Sequence, residues 1–288
     1  MNLLNQRIAA DSNIFLGGDD HDGNPASHTE GVLEMVNAIT EPYDGISPQF
    51  NYFWHFGDIV ESITIDDPRF DPQQPAAIEN ASPIRQINNA VETYKPISKK
   101  IICLLDGNHP RKLSQRVGPI TQEICRRLEC PYGDYTAKVT FSDIAGTTVF
   151  KMYGTHGRRG VTSNLADPAQ AWASKQRSLK NAMRELAGDC FVMAMGHTHQ
   201  LIDVPPHDRL YLYDDGERLH QDYVRPVPAA QFIHPDQRWY VNTGSFFRTQ
   251  MLGYATYGEL AQYAPVPLGY YVLKIRDYKP VGLDRVLV

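Results

Sequence analysis

Along much of the chain, short apolar runs alternate with segments whose apolar residues recur at helical spacing. This alternation limits the folds that the chain can adopt. The run 101–105, Ile-Ile-Cys-Leu-Leu, is short and β-branched at its start, as expected for a buried strand. The segment 83–98 before it repeats apolar residues on one helical face, namely Ile84, Ile87, Val91 and Tyr94. Such alternation is typical of βαβ units, so we expect parallel strand pairing and an α/β fold.

The other apolar and periodic segments continue this pattern. Further strands are predicted at 13–16, 52–56, 135–141, 147–153, 191–195, 238–241 and 270–275. Further helices are predicted at 30–39, 119–128 and 167–187. The segment 201–238 is richer in proline and carries a hairpin turn at 214–216, so we expect an insertion or lid there. No repeat or linker divides residues 1–288, which we expect to form a single domain.

Composition limits the function classes. Hydrophobic residues make up 42% of the 288 residues, which is enough to fill a sizeable core. The formal net charge of -5 gives no basic field for a polyanion, so a nucleic-acid substrate would need local help such as metal ions. The four cysteines form no C-x-x-C pair, and neither a signal peptide nor an apolar stretch of about 20 residues is present. These features predict a cytoplasmic protein with no membrane partner.

Five predicted strands share one feature at their ends, which is a glycine followed closely by Asp, Asn or His. The motifs are Gly18-Asp19-Asp20-His21, Gly57-Asp58, Gly107-Asn108-His109, Gly154-Thr155-His156 and Gly196-His197-Thr198-His199. Because ligand sites of open α/β sheets lie beyond the carboxyl ends of the strands, we expect these side chains to converge. We also expect a locally extended backbone to point both residues of each D-x-H or H-x-H pair to one side.

The residue types in these motifs suit a divalent metal. Carboxylates, imidazoles and an amide oxygen, without a thiolate, favour Mn²⁺ or Fe²⁺ and also allow Zn²⁺. A lone D-x-H, GD or His after glycine is common in ordinary loops, whereas G-N-H and G-H-T-H are more specific. Five of them in order, each at the end of a strand, indicate a metal-dependent active site.

The ordered motifs resemble the signature of the calcineurin-like metallophosphoesterases, which is D-x-H, GD, GNH, a separate His and GH-x-H. The resemblance spans Asp19 to His199, and the run 242–245, Asn-Thr-Gly-Ser, looks like the NxGS strand of that family. The segment 253–269 is similar to tails of phage- and prophage-encoded members. The resemblance implies a four-layer αββα sandwich of two mixed β-sheets flanked by helices.

The resemblance also implies a centre of two divalent ions, with Mn²⁺ expected and Fe²⁺, Zn²⁺ or Mg²⁺ as alternatives. One ion would be held by Asp19, His21, Asp58 and His199. The other would be held by Asp58, Asn108, His156 and His197, so that Asp58 bridges the two. The ions would clamp a phosphate ester and activate a bridging hydroxide for in-line displacement, with His109 as the general acid.

Two departures from the family pattern bear on the reaction. Pro110 follows the GNH motif where an acidic residue is frequent, so Glu61 is the candidate carboxylate partner for catalytic His109. The protein phosphatases of the family continue with D-R-G where this chain has 61–63, Glu-Ser-Ile. This difference favours the phosphodiesterase and nuclease branches over a phosphoprotein phosphatase.

Several alternatives stay open for the substrate. Arg111, Lys112, Arg158 and Arg159 follow two of the motifs and are candidates to hold a phosphate or a DNA backbone, although surface solvation explains them equally well. A phosphodiester, with DNA as one candidate, is the expected phosphate-ester substrate. A cyclic nucleotide, a nucleotide conjugate or a phosphomonoester is the alternative. A non-catalytic scaffold is a further hypothesis, but scaffolds tend to lose ligands that this chain keeps.

Overall fold

The computed structural model describes residues 1–67, 69–74, 76–158, 160–253 and 255–288. In chain order the strands are β1 (Asn2–Arg7), β2 (Ser12–Gly17), β3 (Asn51–His55), β4 (Ile101–Leu104), β5 (Thr136–Ser142), β6 (Thr148–Thr155), β7 (Val192–Met195), β8 (Leu201–Val204), β9 (Arg209–Asp214), β10 (Leu219–Val224), β11 (Trp239–Thr243), β12 (Gly269–Arg276) and β13 (Lys279–Leu287). The helices are α1 (Thr29–Thr40), α2 (Ala77–Asn80), α3 (Pro83–Tyr94), α4 (Asn108–Val117), α5 (Ile120–Leu128), α6 (Pro168–Met183) and α7 (Tyr257–Leu260).

Two large mixed β-sheets form the centre of the molecule. One sheet has the spatial order β13-β12-β2-β3-β4, and the other has the order β1-β5-β6-β7-β11-β8. Strands β2, β3 and β4 run parallel in the first sheet, as do β6, β7 and β11 in the second. The predicted parallel pairing is therefore confirmed at the strands that carry the motifs.

Three hydrophobic clusters show how the layers pack. The first joins side chains of both sheets, such as Trp54 of β3 and Met152 of β6, and lies between them. The second packs α1, α3 and α5 on the other face of the five-stranded sheet, which contributes the fully buried Phe53. The third packs α6, through Leu179 and Met183, on the other face of the six-stranded sheet. The result is a mixed α/β sandwich.

Helix α3 differs in detail from its sequence prediction. It ends at Tyr94, and a 3₁₀ helix covers Lys95–Lys100. Ile84 was expected on the buried face but is 68% exposed, whereas Gln86 is buried. The Gln86 side chain accepts a hydrogen bond from the Ser62 backbone N–H at 2.9 Å. This polar contact places Gln86, rather than Ile84, on the buried face of the helix.

The predicted insertion 201–238 begins with a strand of the main sheet. Leu201 and Val204 of β8 pair with Thr243 and Tyr240 of β11. The hairpin of β9 and β10 follows, so the predicted turn at 214–216 lies at its tip. Among the described residues, no helix combines the length and the apolar character needed to cross a membrane.

Candidate metal centre

The candidate site lies where five strands end. The motif residues follow β2, β3 and β4 of one sheet and β6 and β7 of the other. Two of the short contacts that join the two sheets lie here: the His197 N–H donates to Asp19 Oδ2 at 2.8 Å, and His156 Nε2 lies 3.2 Å from Asp58 Oδ2. The structure thus brings the predicted ligands of both sheets together at one edge of the sandwich.

The first group of possible ligands is Asp19, His21 and His199, whose ligand atoms lie within 4.8 Å of one another. His199 Nε2 is 3.4 Å from Asp19 Oδ1 and 3.3 Å from His21 Nε2. Asp19 is fully buried, and its Oδ1 accepts no hydrogen bond from any described residue. Burial opposes ionisation of Asp19, but His199 and His156 lower its pKa. A buried carboxylate oxygen without a donor, facing two imidazole nitrogens, fits a bound cation.

Glu61 holds His21 in this group. Its Oε2 lies 2.7 Å from His21 Nδ1, so a proton on Nδ1 leaves the Nε2 lone pair facing Asp19 and His199. Burial disfavours the imidazolium, but Glu61 raises the pKa of His21 to about 9. Burial likewise disfavours the Glu61 carboxylate, and His109 and His21 lower its pKa.

The second group is Asp58, His156 and His197, again within 4.8 Å of one another. His156 Nδ1 donates to the Phe56 carbonyl at 2.8 Å. Its Nε2 faces Asp58 Oδ2 at 3.2 Å and Asn108 Oδ1 at 3.0 Å. Because Nδ1 already donates its proton to Phe56, Nε2 can face these two oxygens favourably only as the second N–H of an imidazolium or through a bound cation. In the absence of a cation, burial lowers the pKa of His156 but Asp58 raises it to about 9.

Asp58 lies between the two groups and is held by the backbone of α4. The His109 N–H, in the first turn of this helix, donates to Asp58 Oδ1 at 2.9 Å. Burial opposes the carboxylate, but His156 and His109 hold the pKa of Asp58 far below its usual range. Gly107 is required because a Cβ at that position would overlap Asp58 Oδ1 and N.

His109 is oriented by a backbone group. Its Nδ1 donates to the Glu61 carbonyl at 2.8 Å, whereas the Glu61 carboxylate lies 3.6 Å away. The expected carboxylate partner therefore contacts His21 more closely than His109. The His109 ring packs edge-on against His21 with centroids 4.7 Å apart, and its ligand atom is also close to His21 and Asp58. With Nδ1 engaged, Nε2 is the atom available to a substrate.

The backbone at the ligand positions is not extended as expected. Positive φ angles occur at Asp19 (54°), His21 (53°), Asp58 (50°), His197 (70°) and His199 (55°). Asp and His tolerate this left-handed region better than most residues, but it is sparsely populated and costs conformational energy. Left-handed turns, rather than an extended chain, aim both residues of each pair at the site.

An open cleft of about 620 Å³ begins at Asn108 and His197. Its other lining residues are Arg111, Lys112, Gln115, Tyr135 and Arg158. Arg111 forms an ion pair with Asp134 at 3.1 Å, and Lys112 forms one with Asp67 at 3.0 Å. Arg158 is exposed and forms no ion pair with any described residue. Arg159 lies outside the described residues.

Three further residues lie near the site, and only Asn242 belongs to a motif that was singled out from the sequence. Phe247 packs against His21 and His199, with ring centroids 4.9 Å and 5.7 Å apart. Tyr135 packs against His156, with centroids 5.5 Å apart. The Asn242 amide donates to the Gly196 carbonyl at 3.2 Å and to the Thr198 hydroxyl at 2.6 Å. Asn242 begins the NxGS run, which was the signal for it, whereas the two aromatic residues have no comparable motif.

The donor set is made of carboxylate and amide oxygens with imidazole nitrogens, a combination that suits Mn²⁺, Fe²⁺ or Zn²⁺. The buried Asp and His groups lie within metal-binding distance of one another. Comparison of the sequence with models of known protein families gave no match, and neither did comparison with curated proteins.

Proposed function

We propose that this chain is a calcineurin-like metallophosphoesterase that hydrolyses a phosphodiester with two divalent ions, most simply Mn²⁺. One observation carries the proposal: two adjacent groups of buried Asp and His side chains turn their ligand atoms toward one another, with His109 beside them. The two sheets with helices on their outer faces support the αββα sandwich that this family would have.

The proposed ligand sets follow the two groups. One ion would be held by Asp19, His21, Asp58 and His199, and the other by Asp58, Asn108, His156 and His197. Such ions lower the pKa of a bound water and neutralise the charge on the phosphate oxygens. The protein fixes the ligands: Glu61 and the Phe56 carbonyl hold the Nδ1 atoms of His21 and His156, which leaves each Nε2 for the metal.

His109 is the proposed general acid. The Glu61 carbonyl binds Nδ1, so a proton on Nε2 is the one that His109 can give to the leaving oxygen. Its side chain is 16% exposed, which keeps it accessible to a substrate while the ring stays packed on His21. General acid catalysis of this kind contributes about 10²–10⁴-fold to a rate.

The cleft supports a diester more than a phosphoprotein. Arg111, Lys112 and Arg158 give it positive charge next to Asn108, and its open shape suits a group on the far side of the scissile phosphate. DNA and a small diester both meet this description. A scaffold without turnover is less consistent with the site, because the ligand positions and His109 are all filled.

The test is hydrolysis in Mn²⁺ of a phosphodiester, a phosphomonoester, single-stranded DNA and double-stranded DNA, by wild type and His109→Ala in parallel. We expect diester or DNA cleavage to dominate, and His109→Ala to lower it by about 10²-fold or more while metal binding is kept. His220→Ala is the matched control, since His220 lies on the exposed hairpin.

Two results would contradict the proposal. Bound metal without cleavage of any substrate would support the scaffold instead. A dominant monoesterase activity would move the substrate to the alternative class.

A further inference from the structure

The hairpin of β9 and β10 is apolar and uncovered. Eleven of its twelve strand residues are exposed. By register, Leu210 and Tyr223 face each other and share one face with Leu212 and Leu219, which are 60% and 71% exposed. A two-stranded hairpin that packs against nothing else is only marginally stable in water. Exposed apolar side chains on such a hairpin therefore indicate an interaction site.

The hairpin follows the end of β8 that points away from the candidate metal centre. The site begins beyond Met195, which pairs with Asn242 of β11. Strand β8 starts beside it at Leu201 and runs away, so Val204 leads into the hairpin at the opposite end of the sheet. This position argues against a lid over the site and leaves the hairpin available to a partner.

The outer edge of β10 is open to strand addition. The Asp215 N–H donates to the Arg218 carbonyl at 3.3 Å, so these two residues form a hydrogen-bonded pair at the end of the hairpin. Counted from this pair along the register, Tyr223 lies in a non-bonded pair and turns its backbone groups outward. The Asp222 side chain accepts from the Tyr223 N–H at 2.7 Å, and an incoming strand would replace that bond. Because these groups alternate in direction along an antiparallel strand, Leu219 and Gln221 present theirs on the same edge. A free edge of this kind pairs with another strand unless something blocks it.

Its sequence is complementary to a second copy of itself. A two-fold axis midway between Gln221 and Gln221 of the second copy sets Leu219 opposite Tyr223 of the second copy and Glu217 near Arg225 of the second copy, each contact occurring twice. Neither Glu217 nor Arg225 forms an ion pair with another described residue. The apolar pair and the charged pair are thus both satisfied by the same register between the two β10 strands.

We infer that the chain forms a two-fold homodimer in which β10 pairs antiparallel with β10 of a second copy. The result is a four-stranded sheet with the order β9-β10-β10-β9. Both metal centres stay at the outer ends of the dimer, open to substrate. Nucleic acid is a poorer occupant, because the segment 205–228 carries more Asp and Glu than Arg.

Sedimentation velocity of the full chain at micromolar concentration tests the dimer. We expect wild type to sediment as a dimer and Gln221→Pro as a monomer, because the proline removes an outward N–H and leaves the ladder to β9 intact. Ile78→Lys, at a surface residue that is 72% exposed, is the control and should stay dimeric. Hydrolysis per chain should not change, since the hairpin follows the end of β8 that points away from the site.

A charge exchange tests the register. Glu217→Arg and Arg225→Glu should each raise the dimer dissociation constant by about tenfold, because like charges then meet twice across the axis. The double variant should restore wild-type association. A monomeric wild type overturns the proposal and assigns the hairpin to another occupant, such as a lipid surface or a foreign protein. A dimer that survives Gln221→Pro, or a double variant that stays weakened, also overturns it.

Discussion

His21 and His156 share one arrangement at the scale of single residues. In each ring Nδ1 is bound to a protein oxygen, from Glu61 or from the Phe56 carbonyl, and Nε2 faces the other ligands. Partners of this kind fix the tautomer and direction of a metal-binding histidine. Glu61 therefore orients two histidines: its carboxylate binds His21, and its backbone carbonyl binds His109.

We predict that Glu61→Ala weakens Mn²⁺ binding by about 10–100-fold, because His21 loses the group that orients it. Glu61→Gln should recover part of this loss, since its amide oxygen can still accept from Nδ1. Calorimetric titration with Mn²⁺ measures the effect. Glu92→Ala, at an exposed carboxylate, is the control, and equal affinity in Glu61→Ala and wild type would contradict the assigned role.

Gly107 allows the closest backbone approach in the site. We predict that Gly107→Ala abolishes most hydrolysis and weakens metal binding, because the added Cβ would displace Asp58. Gly160→Ala is the matched control, since its nearest neighbour beyond the adjacent residues is the Thr162 side chain at 3.8 Å. Hydrolysis rates of the two variants, with circular dichroism as a check on folding, decide the matter. Wild-type rates in Gly107→Ala would show that Asp58 can move without loss.

Residue identities at the site were predictable because glycine, carboxylate and imidazole carry the chemistry in their side chains. Phe247 and Tyr135 were not, since an aromatic residue near a strand end is usually core. The left-handed backbone was also missed, because alternate spacing suits an extended strand and a turn equally well.

At the scale of elements, α4 is the longest of the helices that the sequence did not predict, the others being the single turns α2 and α7. It begins inside the GNH motif with no side-chain cap, and Pro110 lies in its first turn. A proline is tolerated there, because the N–H groups of a first turn have no partner within the helix. The helix has a consequence for the site, since its first turn supplies the N–H that binds Asp58.

Arg238 stabilises the loops that precede β7 and β11. It is 1% exposed and donates to the backbone carbonyls of Ile233, Ala187 and Arg184. We predict that Arg238→Met lowers the free energy of unfolding by about 2–4 kcal/mol, because those carbonyls are left without donors. Urea denaturation measures it, with Arg7→Met at the exposed Arg7 as the control. If Arg238→Met lowered the free energy of unfolding by less than Arg7→Met does, the stabilising role of Arg238 would be contradicted.

Asp189 ties β5 and β6 to the start of β7. Lys138 and Lys151 donate to it at 2.7 and 2.8 Å. Burial alone would raise the pKa of Asp189, but the two lysines lower it from the ordinary 3.8. The resulting stability is present above that ordinary value and is lost as the pH falls through the lowered native pKa.

We therefore predict that Asp189→Asn is less stable than wild type at neutral pH, and that the difference shrinks once the pH falls below the ordinary aspartate pKa of 3.8. Urea midpoints measured across this range test it. Asp208→Asn, at an exposed carboxylate, should show no such convergence. A difference that grows as the pH falls would contradict the sign of the linkage.

At the scale of the whole molecule, the parallel strands explain why scattered motifs meet. Strands β2, β3 and β4 all end at one edge, as do β6 and β7, so the ligands follow from strand direction alone. The edge strands β1 and β13 were missed, because β1 is largely polar, and β13 contains Pro280 and Gly282 and buries only one residue. Such strands take their structure from their neighbours more than from their own pattern.

The central claim is that the two groups of Asp and His hold two divalent ions that hydrolyse a phosphate ester. The most direct measurement is the number of Mn²⁺ ions bound per folded chain after gel filtration, by elemental analysis, alongside the diester hydrolysis of the same sample. Two ions in wild type, with loss of at least one ion and of hydrolysis in Asp58→Asn, is the predicted result. A folded wild-type chain that binds no Mn²⁺ under saturating conditions, or keeps its hydrolysis in Asp58→Asn, would contradict it.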